Sequence, residues 1–161
     1  MKFLRHDGER FLLEFGHEEK ALLLHLLSLY PLVPESHHQL TKDKKLPHRA
    51  ENQQLLGEAL AAQRGQNMKE ILTLIHDPGR FTESGDVSQV TFTRGELEWL
   101  LQGINDVRVG CWIALGSPGY ETKKKTRPDK EALRHMMFME LAGAFEMFFL
   151  GVINGAVPAE E

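Results

Sequence analysis

The 161-residue chain has one cysteine, two tryptophans and two tyrosines. A single thiol, Cys111, can neither close an internal disulfide nor supply a cysteine-based zinc site, so a disulfide framework and a zinc ribbon are excluded. Such cysteine usage fits a reducing cytoplasm. No export signal is expected at the start either, because Met1–Gly8 meets charge and a turn pair before an apolar signal core could form. Phosphate-loop chemistry lacks its motif: Gly116-Ser117-Pro118-Gly119 follows a helix and has no lysine in the required place. The Gly-x-Ser-x-Gly elbow of serine hydrolases and the His-Glu-x-x-His pair of zinc proteases are also missing. The eight histidines form no tight ligand set, so neither a metal nor a cofactor is expected. There is no strong excess of one charge either. Lys plus Arg number 19 against 23 Asp plus Glu, a formal −4, which argues against a dominant nucleic-acid footprint.

What the chain does contain is an ordinary globular composition, 42% hydrophobic and 26% charged, at a length that suits one domain. Lys2 to His6 and Glu9 to Phe15 flank Asp7-Gly8, which predicts a hairpin with a type I′ turn. Leucines from Ala21 to Tyr30 follow Glu18-Glu19 and predict a first helix, ending near Pro31 or Pro34. A polar loop with Lys42, Lys44 and Lys45 leads to a second helix from about Arg49 to His76, with Gly65 as a potential break and Asp77-Pro78-Gly79 as its stop. After a further loop, Val87 to Phe92 alternates as a strand, and Thr93-Arg94-Gly95-Glu96 is a capping box for a third helix running to Gly116. A second basic loop carries Lys123, Lys124 and Lys125. The last helix starts around Pro128 and reaches about Asn154. The expected class is α+β, mainly α: about four helices packed with a small antiparallel sheet made from the hairpin and the Val87 strand. Glu14–Glu19 and Thr91–Glu96 also resemble each other, each a strand entering a helix through a capped turn.

The last helix is apolar almost all round, through Met136-Met137-Phe138-Met139 and Phe145 to Leu150. Arg134, Glu140 and Glu146 interrupt it, at roughly 2–3 kcal/mol each in a bilayer centre, which favours enclosure by other helices or by a second subunit over a membrane span. Methionines adapt to irregular partners, so a homodimer through this helix is expected, with a further protein partner open.

The most specific chemistry lies in the third helix. Leu97, Leu100, Leu101, Ile104, Val107, Cys111, Trp112 and Leu115 share a face at 100° per residue, and Arg108 falls near its middle. A buried guanidinium needs an anion, and Glu140 of the last helix and Glu19 of the first are the expected partners. The alternative is that Arg108 packs its stem and reaches water. Asn105-Asp106, on the more polar flank, reads as solvated or as capping a neighbouring loop. Cys111 reads as a small buried hydrophobe. Lys44, Lys45, Lys124 and Lys125 are available for surface contacts, including weak phosphate contacts.

Val90-Thr91-Phe92-Thr93, Glu96, Trp99-Leu100 and Ile104-Asn105-Asp106-Val107-Arg108-Val109-Gly110 resemble the signature of a mostly actinobacterial family of uncharacterised domains, the one that includes the actinomycete oxidative-stress regulator. The usual form there is a strand, a Trp-Leu pair and a Leu-Asn-Asp-Leu-Arg-Leu helix, and Phe11 to Leu27 is similar to that family's start. The resemblance touches both ends of the first two thirds of the chain and does not extend to the last helix. It implies a helix-rich, cytoplasmic bacterial protein with a regulatory or interaction role and no known active site. A paired-cysteine redox switch is not carried over, because Cys111 is alone. The function expected is therefore a non-enzymatic regulatory or interaction domain. The alternatives are an enzyme or small-anion-binding protein with a pocket between helices using Arg108 and Glu140 or Glu19, and nucleic-acid binding through the basic loops.

Overall fold

A computed structural model describes residues 1–37, 47–117 and 128–160. Lys44, Lys45, Lys124 and Lys125 lie outside the described residues. Four strands, β1 (Lys2–Asp7), β2 (Arg10–Gly16), β3 (Phe81–Ser84) and β4 (Val87–Thr93), form one antiparallel sheet in the order β1-β2-β4-β3. Four helices accompany it: α1 (His17–Ser28), α2 (Arg49–His76), α3 (Arg94–Ala114) and α4 (Lys130–Ile153). The α+β, mainly helical class expected from the sequence is the one observed.

Alternation sorts the sheet into a wet and a dry face. Phe11, Leu13 and Phe15 of β2 pair with Phe92, Val90 and Ser88 of β4, and all six are buried on the side that the helices cover. Phe149 of α4 seals this layer, its ring 6.4 Å from those of both Phe15 and Phe92. Aromatic pairs at such tilted and edge-on geometries add to the burial of their area.

Local differences from the sequence reading have plain causes. The first turn carries positive φ at Gly8 alone, +60°, so it is not the type I′ turn that needs two such residues. Where the sequence reads as loop, β3 forms; only its Phe81 is shielded and Thr82 to Ser84 are exposed, so it has no apolar alternation to reveal it and exists by pairing with β4. Gly65 does not divide α2, which runs unbroken for 28 residues. Asp129, one residue after Pro128, caps α4 by accepting from the Ala132 amide at 2.7 Å.

The two similar strand-to-helix junctions are built alike. At the start of α1 the Gly16 amide donates to Glu19 Oε2 at 2.9 Å, and at the start of α3 the Thr93 amide donates to Glu96 Oε2 at 2.7 Å. Only the second is a complete capping box, since Thr93 Oγ1 also accepts from the Glu96 amide at 3.2 Å and Gly16 has no side chain to do so.

Candidate functional site

The buried stripe of α3 consists of Leu97, Leu100, Ile104, Val107 and Cys111 together with Gly103 and Gly110. It is turned roughly 50° from the face drawn through the large apolar residues, at 100° per residue. The glycines explain the turn. A Cβ on Gly103 would stand 2.8 Å from Ile71 Cδ1, and one on Gly110 would stand 2.7 Å from Leu32 Cβ and 2.9 Å from the Leu32 carbonyl carbon. These two positions are where α2 and the segment after α1 press on α3. As a result Trp112 lies at the edge, 37% exposed, and Arg108 lies on the flank that meets α4.

Arg108 does find a carboxylate, but neither of the two expected. Its Nη1 donates to Glu146 Oε2 at 2.7 Å. The acid is the buried partner: the Glu146 side chain is 11% exposed and the arginine 49%, so the stem packs while half of the side chain faces out. Glu146 Oε1 is buried with no hydrogen-bond partner. Glu140 is exposed, six residues from Glu146 and so about 120° round α4 from it. Glu19 belongs to the start of α1, where it accepts from the Gly16 amide and pairs with the Met1 amine. Burial pushes the Glu19 carboxyl up, and the hydrogen bonds from the Met1 amine and Gly16 outweigh it, leaving it below its usual value. The structure thus brings Arg108 together with neither Glu140 nor Glu19.

Asn105-Asp106 holds a different role from catalysis. Asp106 Oδ1 accepts from the amides of Leu32 and Val33 at 2.6 and 3.0 Å, and Oδ2 accepts from Arg64 Nη2 of α2 at 3.2 Å. One carboxylate therefore fastens the segment after α1, and α2, to α3. Beside it opens a cleft of about 380 Å³ between that segment, α2 and α3, with Tyr30, Arg64, Asn67, Gln102, Asn105 and Asp106 among its walls. Asn67 Nδ2 donates to Gln102 Oε1 at 2.9 Å across it. Burial pushes the Tyr30 hydroxyl up, and the nearby Asp106 charge adds to this against an opposing hydrogen bond with Asn67. Reading Asp106 as a loop cap fits this geometry; the cleft itself has no sequence signal, because its walls come from three separate segments.

Cys111 is fully buried, and burial pushes its thiol up, which disfavours the reactive thiolate. The His25 ring lies tilted against that of Phe138, ring centres 5.3 Å apart.

Among the described residues, five of the eight exposed large hydrophobic side chains lie on α4. Phe138, Ala142, Phe145, Glu146, Phe149 and Val152 point inward. The reverse side is also apolar, with Leu133, Met136, Met137, Met147 and Leu150 exposed, Met147 at 73%. By length and composition α4 is also the one helix among the described residues apolar enough to cross a membrane, with a mean hydropathy of 1.7 and 33% of that window buried. Comparison of the chain with protein-family models, curated proteins and solved structures finds no match.

Proposed function

We propose that the chain is a non-enzymatic, cytoplasmic regulatory or protein-interaction domain that works as a homodimer through the outer face of α4. The observation that supports this is the apolar outer face of a helix whose inner face already completes the core. An isolated exposed leucine needs no explanation, but a run of leucine and methionine along one helix face is the kind of patch that marks an interaction site. The resemblance of Val90 to Gly110 to a family with regulatory members agrees with this reading.

The test is mass in solution. Size-exclusion chromatography with light scattering at micromolar concentration gives twice 18.3 kDa for the native chain and the single-chain mass for a Met136→Lys, Met147→Lys double variant. A native chain that stays at one mass overturns the proposal, and co-sedimentation of that monomer with lipid vesicles reassigns α4 to a membrane.

A second reading, small-molecule binding, is favoured by the cleft beside Asp106. It uses Tyr30, Asn67 and Gln102 rather than Arg108 with Glu140 or Glu19.

A further inference from the structure

Six residues along the outer side of α4 follow a spacing that a merely greasy surface would not need, with the exposed Met137 and Ala144 flanking them. Leu133, Met136, Glu140, Gly143, Met147 and Leu150 are spaced by 3, 4, 3, 4 and 3 residues, which is the a/d seam of a coiled coil. Glu140 and Gly143 occupy the middle two positions. The seam also reads nearly the same from both ends: Leu133 matches Leu150, Met136 matches Met147, and Glu140 matches Gly143 about a midpoint between Leu141 and Ala142.

We infer that two copies pair their α4 helices antiparallel across this seam, with Glu140 of each copy set against Gly143 and the half-exposed Arg108 of the other. This rests on the homodimer reading above and adds its geometry. Two observations fix the direction. In a parallel pair each a position faces its own copy, so Glu140 would face Glu140 at the centre of an apolar seam, an uncompensated like-charge contact. In an antiparallel pair a faces d, so Glu140 meets a glycine, which leaves room for the larger side chain. The second observation is what lies beside that glycine. A Cβ on Gly143 would be 3.8 Å from Arg108 Nε, so the cation of the neighbouring helix borders the place where the incoming carboxylate arrives. Arg108 is already tied on one side to Glu146, while half of its side chain remains exposed. A guanidinium has five donors and can serve two carboxylates. Two-fold symmetry makes the contact twice, as an isologous interface requires.

Disulfide trapping reads the direction. Met136 and Met147 are both exposed, so cysteine at either leaves the fold intact, and the buried Cys111 does not compete. In the antiparallel pair the two copies of position 136 are about 16 Å apart along the axis, at 1.5 Å per residue, far beyond disulfide reach. Under mild oxidant, Met136→Cys alone and Met147→Cys alone stay uncrosslinked, while an equimolar mixture of the two gives a covalent dimer. Crosslinking of either variant by itself, with light scattering still showing two chains, overturns the antiparallel geometry and leaves the homodimer standing; a single-chain mass for the native protein removes both. The charge contact has its own readout. Glu140→Lys places a cation against Arg108 and raises the dimer dissociation constant at least tenfold, an increase that shrinks at high salt; an unchanged constant overturns the Glu140–Arg108 contact.

Discussion

α3 and α4 are both long apolar helices, of 21 and 24 residues, yet the fold uses them differently. α3 is consumed. Its inward stripe contains two glycines that admit neighbouring segments, and a carboxylate at Asp106 ties in two of those segments. α4 is only half used: one side closes the core with Phe145 and Phe149, and the other keeps a spare seam. Apolar content alone therefore does not say whether a helix is satisfied within its own chain. The positions of the small and charged residues do. On α3 Gly103 and Gly110 face the protein's own Ile71 and Leu32; on α4 Gly151 likewise meets Val157, while Gly143 lies on the outward seam beside Arg108.

The sharpest way to break this contrast is at Asp106. Asp106→Ala leaves the Leu32 and Val33 amides without their acceptor and removes one of the contacts of Arg64, and should cost about 3 kcal/mol in urea unfolding, given about 1–3 kcal/mol for each stranded buried group. The mass of the folded fraction should not change, since the Asp106 carboxylate faces Leu32, Val33 and Arg64 rather than α4. Gly110→Ala tests the same face by overpacking. The added methyl collides with Leu32 and its backbone, and we expect a loss of about 1–3 kcal/mol by denaturant midpoint. Against these, Met136→Lys with Met147→Lys should move single-chain stability by less than about 0.5 kcal/mol while removing the dimer. If the lysines unfold the chain or the alanines dissociate the dimer, the division of labour between the two helices is wrong.

The smallest effect distinguishes the two helix starts. The folded-state pKa of Glu19 is depressed, so its contribution is present above the ordinary carboxylate value and is lost as pH falls through the folded one. Glu19→Gln should therefore show a shallower fall in Tm than the native chain between about pH 5 and pH 3, with the native chain the more stable near neutrality; parallel curves would remove Glu19 as a source of acid sensitivity.

Much of the fold was legible because it depends on local rules. The hairpin, the capping box at Thr93–Glu96 and the stop after His76 follow from turn and helix-end chemistry within a few residues. β3 was not legible, because three of its four residues face water and its strand character comes from β4. That Arg108 pairs with a carboxylate is expected from its place on the apolar face, but the guanidinium is half exposed and it is the buried Glu146 that requires the partner; the choice among Glu19, Glu140 and Glu146 depends on the rotation of α4 about its axis. A helix apolar all round gives no preferred face from which that rotation can be read.

The local pattern determined the kinds of element, the capped entries to α1 and α3, and the heptad spacing on α4, since each depends on residues adjacent along one segment. Tertiary structure decided which carboxylate meets Arg108, what Asp106 fastens, and which side of α4 is left outside. Those choices were settled by how closely the segment after α1 can approach Gly110 and by where Phe149 lodges against the sheet, and close packing between remote segments leaves no mark on either segment alone.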